Sequence, residues 1–379
     1  MIKIGITGQR GFIGTHLYNT LGLYPNRFKR IKFKNNYFEN ITELERFVSE
    51  CDVVVHLAAL NRHNDPAVIY ETNIQLVKKI ISACESTRSS PHILFSSSTQ
   101  EELENHYGKS KKDGREILKK WAARNDAPFS GLIIPNVYGP FGHPYYNSVV
   151  ATFSHQITHD ETPKIEIDGN LKLIYVGELV SQIIERVEKI NGEKSNVAIH
   201  ENIEIPNTSE LKVSQLLKIL KGYKISYLEK GEIPDLDTSF KRNLFNTFFC
   251  YLDHETFFPF HLKRNTDERG SFIETIKLNS GGQISFSTTV PGITRGNHFH
   301  TRKAERFAVI KGKARIDIRR IGTNKVLSFI LDGRQPSFVD MPIWFTHNIT
   351  NIGDEELYTI FWISEHYNQE DPDTYFEEV

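Results

Sequence analysis

Cysteine is scarce in this 379-residue chain: Cys51, Cys84 and Cys250 stand alone, with no C-x-x-C pair among them. Such sparse, odd usage excludes a disulfide framework and fits a reducing compartment, so all three read as packing residues. An excess of charge of one sign is lacking too. The 46 basic and 47 acidic residues leave a formal net charge of -1 and no global field for nucleic acid or an anionic membrane. Long apolar runs are missing: the longest, residues 53–60, is interrupted by His56 and falls short of the ~20 residues that cross a bilayer. The N-terminus enters a strand pattern at Ile2, Ile4 and Ile6 without the regions of a signal peptide. A cytoplasmic protein is expected, with no nucleic acid and no membrane as partner, and with neither internal repeats nor low-complexity segments.

The length suits two domains, each able to bury a core. Through about residue 230, apolar runs at residues 2–7, 53–57, 92–95 and 130–134 alternate with amphipathic stretches, which predicts parallel strands with crossover helices. From about residue 262 the texture becomes short β-rich segments broken by Gly and Pro, at 283–289, 305–310, 314–318, 337–339 and 358–363. Closely spaced strands without helical spacers predict a sandwich or small barrel. The aromatic-rich stretch 240–262 reads as a packed connector, and the boundary falls near residue 245, giving domains 1–245 and 246–379.

Directly after the first strand comes Gly8-Gln9-Arg10-Gly11-Phe12-Ile13-Gly14, opening onto an amphipathic stretch over 12–21. Glycines there allow a tight turn and close approach of backbone N–H groups to a pyrophosphate at the positive end of the helix. An NAD-selective site usually carries an acidic residue at the end of the second strand, to bond the ribose 2′-hydroxyl. Residues 30–33 offer only bases. Arg10, with Arg30, Lys32 or Lys34, can meet a 2′-phosphate, so NADPH is expected over NADH.

Further on, Tyr107 and Lys111 lie four apart and share one face of a helix, downstream of Ser96-Ser97-Ser98 at a strand end. An ammonium beside a phenol lowers the phenol's pKa, and a tyrosine poised this way can give a proton to a carbonyl oxygen as hydride reaches the carbon. A serine near the same oxygen would orient it.

In order, the glycine loop, the 52–59 segment, Asn73, the serine run, the Tyr107/Lys111 pair and Pro135-Asn136-Val137-Tyr138-Gly139-Pro140 resemble the extended short-chain dehydrogenase/reductases. The resemblance implies an α/β Rossmann domain with a sugar-nucleotide site. In it Tyr107 is the catalytic acid, Lys111 sits on the nicotinamide ribose, and Ser98 is the matching serine. Cofactor contacts fall to Gly8, Arg10, Gly11, Phe12, Ile13 and Gly14 of the loop, and to Leu57, Ala58, Ala59, Asn73, Pro135, Asn136 and Val137. Two departures stand out: the Ser98–Tyr107 segment is short for that family, and Ile134-Pro135 replaces a frequent basic residue.

The second half carries Gly292, His298-Phe299-His300, Glu305 and Gly312, then Pro342, His347 and Asn351. On a strand His298 and His300 point to one side, and Glu305 on the following strand with His347 from a distant one can complete a metal shell. Three imidazoles and a carboxylate suit zinc, manganese, iron or nickel by ligand type. The pattern resembles the all-β cupin fold (double-stranded β-helix, or jelly roll), with Trp344 where a glycine is usual. Residues 265–272 resemble the segment that precedes the pocket in sugar-nucleotide epimerases of that fold, and Lys303 is a candidate acid or base. A metal there can stabilise the enediolate oxygen made when a proton α to a ketone is removed.

Taken together, the chain resembles the bifunctional capsular polysaccharide assembling proteins of the CapF type, including residues 146–153, 292–298 and 372–376. That resemblance implies a two-step route. The cupin half epimerises UDP-2-acetamido-2,6-dideoxy-L-arabino-4-hexulose at C3. The reductase half then reduces the C4 ketone to UDP-2-acetamido-2,6-dideoxy-L-talose, toward UDP-N-acetyl-L-fucosamine for surface polysaccharide. Zn2+, or another divalent metal, and a homodimer are implied with it. The alternative keeps the NADPH-dependent 4-keto reductase and makes the cupin a structural or sugar-binding module.

Overall fold

The apolar run at the N-terminus forms β1 (Ile2–Thr7), whose last four residues are buried. Parallel strands β2 (Phe28–Ile31), β3 (Val53–His56), β4 (His92–Ser98) and β5 (Phe129–Ile134) join it, with His200–Glu204 at the edge, in the order β2-β1-β3-β4-β5-His200–Glu204. Val54 enters one apolar cluster with Phe47, Phe95 and Trp121, while Val53 and Val55 enter another with Leu17, Leu132 and Ile183. That split follows from the two-residue period of a strand and means both sheet faces are covered. The covers include α1 (Phe12–Gly22), α2 (Ile41–Glu50), α3 (Pro66–Thr87) and α4 (His106–Arg124). Because the chain leaves β1 for β2 on one side and returns to β3 on the other, the switch point lies between β1 and β3, where a ligand crevice is expected in such sheets.

The computed structural model describes residues 1–192 and 199–379. Contacts divide it into Met1–Tyr138 with Leu171–Glu210, and Gly139–Asn170 with Leu211–Val379, which is not a single cut in sequence. In the second unit the helix Ser239–Phe249 buries Phe245, Phe248 and Phe249, and Tyr223 and Tyr227 meet Phe245 edge-on. The aromatic-rich connector is thus a packed element.

From residue 260 on, the strands of that unit pair antiparallel in two five-stranded sheets and a hairpin. One five-stranded sheet runs Phe260–His261, Ser337–Met341, Glu305–Lys311, Leu357–Ile363, Gln283–Thr289. The other runs Val326–Asp332, Lys313–Arg320, Phe345–Asn351, Thr294–Phe299, Tyr375–Phe376. Buried Ala314, Ile316 and Ile318 alternate with Lys313 and Arg315, the pattern of a half-buried strand. Among the described residues no helix is long and apolar enough to cross a membrane.

Candidate cofactor and metal sites

Gly8 has φ of 73°, and a Cβ there would stand 2.9 Å from the Ala58 nitrogen; a Cβ on Gly14 would run into the Gly8 carbonyl. Only glycines let this loop lie against the end of β3. Asn40, Asp65 and Asn105 cap α2, α3 and α4 with side-chain oxygens, whereas α1 starts at Gly11 with no side-chain cap and no acidic residue in its first turn. Its first amides and the positive end of its dipole therefore fit a pyrophosphate. Asn73 braces the neighbouring segment: its amide donates to Leu60 O and Ser110 Oγ, both at 2.9 Å, and accepts from Leu60 N at 2.7 Å. Gln9 Oε1 accepts from Phe33 N at 3.4 Å, which brings the end of β2 to the glycine loop. Of the four bases, Arg10 in the loop and Lys32 and Lys34 after β2 are exposed, while the Arg30 guanidinium donates to Tyr18 O at 3.0 Å and lies 4.2 Å from the Tyr18 ring centroid.

At the far end of β4, α4 brings Tyr107 and Lys111 together. Asn105 accepts from Gly108 N at 2.7 Å and starts the helix. Lys111 is 3% exposed, its Nζ lying 5.8 Å from the Tyr107 ring centroid and 4.9 Å from that of Phe95. Burial pushes its pKa down to about 7, against the opposing charge of Glu101. Its hydrogen-bond partner is Ser96, at 3.4 Å, and Ser96 in turn donates to His56 O at 3.1 Å. Ser98, the serine singled out by resemblance, accepts from Gln100 N at 3.2 Å and starts the turn Thr99–Glu102.

The short segment before Tyr107 has a physical basis. Its backbone rests on the first turn of α4, where a Cβ on Gly108 would run into the Gln100 carbonyl. Glu101 then pairs with Arg115 through two hydrogen bonds of 2.9 and 2.7 Å, with both side chains 8% exposed, and takes a bond from Ser97. Sequence reasoning missed this pair. Its signal was present: Arg115 follows Lys111 by four and shares its helix face.

In the second unit all four candidate ligands converge, their ligand atoms within 4.8 Å of one another. Glu305 Oε2 lies 3.0 Å from His347 Nε2, 3.3 Å from His300 Nε2 and 3.9 Å from His298 Nε2. Glu305 comes from one sheet and His298 and His347 from the other. A bulge between Gly296 and His298, with Asn297 at φ of 58°, turns the end of its strand toward the cluster. Burial alone would raise the Glu305 pKa, but hydrogen bonds from the three imidazoles hold it well below the usual carboxylate range. His300 Nδ1 is bonded to the Asp373 carbonyl, which leaves its buried Nε2 facing the Glu305 carboxylate. A buried imidazole nitrogen aimed at a carboxylate and two other imidazoles is what a divalent ion requires, so the residues fit a metal.

Trp344 takes φ of 61°, the left-handed conformation that a glycine at that position would supply. Its N–H donates to His300 O at 2.7 Å and its ring stacks on Phe299, so the turn is tied to the ligand strand. Lys303, the acid or base candidate, is fully buried, and its ammonium donates to Pro372 O at 2.7 Å.

Comparison with known proteins covers both halves. Residues 4–198 match the NAD dependent epimerase/dehydratase family, and residues 265–375 match the polysaccharide biosynthesis C-terminal domain. The capsular polysaccharide assembling protein CapF of Staphylococcus aureus, a crystal structure, is 32% identical with a TM-score of 0.61, over 100% of both chains. The chain belongs to the CapF type within the NAD dependent epimerase/dehydratase family. UDP-2-acetamido-2,6-beta-L-arabino-hexul-4-ose reductase of Pseudomonas aeruginosa strain PA103 is 31% identical, over 99% of this chain and 98% of that protein. A CapF structure with the inhibitor 3-isopropenyl-tropolone matches at 30% identity and a TM-score of 0.57, over 100% of both chains. The order of reductase half and β-rich half is therefore that of the family.

Proposed function

We propose that the chain is a bifunctional sugar-nucleotide enzyme acting in the cytoplasm as a homodimer. Residues 1–245 form an NADPH-dependent reductase, and residues 246–379 a metal-binding cupin epimerase. The two matched regions, 4–198 and 265–375, fall on either side of that boundary. Its substrate is UDP-2-acetamido-2,6-dideoxy-L-arabino-4-hexulose, inverted at C3 by the cupin and reduced at C4 by the reductase to UDP-2-acetamido-2,6-dideoxy-L-talose. The name of the P. aeruginosa relative specifies reduction of a UDP-linked 4-keto sugar of this kind. One observation carries the reading: a cluster of three imidazoles and a carboxylate, buried but for half-buried His298, in the same chain as a Tyr107/Lys111 pair. Both reactions use one ketone, first to acidify the neighbouring C–H and then to accept hydride.

Uncapped α1 amides hold the pyrophosphate, and Arg10, with Lys32 or Lys34, meets the 2′-phosphate. Leu57 to Ala59 and Pro135 to Val137 line the cofactor. Tyr107 gives its hydroxyl proton to the C4 oxygen. The Lys111 charge beside its ring stabilises the phenolate left behind, and Ser98 orients the same oxygen. His298, His300, Glu305 and His347 hold a zinc or other divalent ion. When bound, NADPH supplies the hydride and the metal supplies Lewis acidity toward a sugar oxygen. The tropolone in the CapF complex is an α-hydroxy ketone, a class that chelates metals, which supports a metal in the family's site.

One observation favours a second reading, a 4-keto reductase with a structural or sugar-binding cupin: Lys303, the acid or base candidate, is buried on Pro372 O. Loss of epimerisation with retained folding in a Lys303→Ala variant would speak against it.

The reductase assignment is tested by NADPH oxidation with the 4-keto sugar nucleotide. Tyr107→Phe is expected to slow it about a hundred- to ten-thousand-fold while NADPH affinity holds. An unchanged rate would remove Tyr107 from the mechanism.

A further inference from the structure

His300 enters the metal cluster from a segment that has left its strand. The strand Thr294–Phe299 ends one residue earlier. What fixes residues 300–303 instead is the C-terminal segment about seventy positions away. Asp373, 2% exposed, accepts the His300 Nδ1 hydrogen bond on its carbonyl at 2.5 Å. Its carboxylate accepts from Thr301 N and Oγ at 3.1 and 2.6 Å, from Arg302 N at 3.0 Å and from Lys303 N at 3.1 Å. On either side, Arg302 pairs with the Asp371 carboxylate at 2.7 Å, and Tyr375–Phe376 adds a strand beside Thr294–Phe299, setting Phe376 opposite His298.

We propose that residues 371–376 position the metal site, with Asp373 as the positioning residue that fixes the His300 ring so that Nε2 faces the ion. The inference rests on the reading that the cluster holds a metal. An imidazole that donates from Nδ1 to a fixed carbonyl is locked in one tautomer, keeps its Nε2 lone pair for a ligand bond, and gains basicity there. The Asp373 carbonyl can serve this purpose only if its peptide is itself held. Four donors converging on one buried carboxylate hold it, through charge-assisted bonds stronger than neutral ones. The geometry also gives Lys303 a part in this arrangement: its ammonium ties Pro372, the residue before Asp373, to the same loop.

The test uses the full-length protein and zinc alone, titrated against a competing chelator, with Co2+ as a spectroscopic substitute. Asp373→Asn removes the charge and turns an N–H2 toward backbone N–H groups, yet asparagine tolerates the left-handed φ of 42° found there. It is expected to weaken zinc binding on the order of ten- to a hundred-fold and to shift the Co2+ absorption bands. Metal-free thermal unfolding should change less than unfolding of the zinc-loaded form. Thr301→Val removes one of the four donors and leaves the charge; a few-fold weakening is expected, and this variant decides the matter if Asp373→Asn does not fold. Parent-like zinc affinity in Asp373→Asn, or in Thr301→Val where that variant decides, overturns the positioning role. A parent chain that binds no zinc overturns the metal reading itself, a separate result.

Discussion

Burial of Lys111 beside Tyr107 lowers its pKa from an ordinary 10.5 to about 7. In the unfolded chain the ammonium keeps its proton up to about pH 10.5, so between these values the unfolded state binds more protons and stability rises with pH. Below about pH 7 the folded chain must bury a charge. Lys111→Met removes that cost. Thermal unfolding of cofactor-free protein should show the variant's advantage over the parent largest near pH 6 and shrinking toward pH 10; a pH-independent difference would contradict the burial account. Residues whose chemistry repeats at a fixed spacing were legible: Tyr107 with Lys111, and His298, His300, Glu305 and His347, all of which the fold brings together. The bond from Lys111 to Ser96 was not legible, because three serines in a row leave only the pleat to choose among them. Asp373 was invisible as a support, since its partner is an imidazole 73 positions away and its acceptor a backbone carbonyl.

At the level of elements, the proposed preference for NADPH rests on the glycine loop and the bases that follow β2. The loop's backbone lies against the end of β3, its helix is left uncapped, and exposed Lys32 and Lys34 follow β2 where NAD selection needs an acid. Arg10→Ala is expected to reduce the kcat/KM ratio of NADPH over NADH by about ten-fold, the scale of a lost charge-assisted phosphate contact. An unaltered ratio would assign the 2′-phosphate elsewhere. The apolar periodicity placed the strand Gln283–Thr289 to the residue and others to within a few. The exception in the first half is β2, which runs Phe28–Ile31 where residues 30–33 were expected, because its register is set by β1 and not by its own charged residues. The Glu101/Arg115 pair was half legible: Arg115 repeats the Lys111 face of α4, but Glu101 meets it only because a short turn folds back onto that helix.

For the molecule as a whole, the sequence texture revealed a parallel α/β half followed by an antiparallel half, but not that residues 139–170 associate with the second unit. Contacts between helices far apart in sequence leave no periodic trace. Ile284 and Phe286, 55% and 72% exposed, line one face of the edge strand Gln283–Thr289, an apolar stripe that supports the association of two copies. Sedimentation should give twice the 43.7 kDa of one chain; a single-chain mass would count against the dimer.

The central claim is that one chain moves a proton at C3 and a hydride at C4 of the same keto sugar. Its most direct test is incubation with the UDP-linked 4-keto-6-deoxy acetamido sugar in deuterated water without NADPH, metal-loaded and after chelation. The account predicts deuterium at C3 with the metal-loaded protein, in Tyr107→Phe as in the parent, and none after chelation. No deuterium at C3 from the metal-loaded parent would contradict it and leave a reductase with a structural or sugar-binding second half.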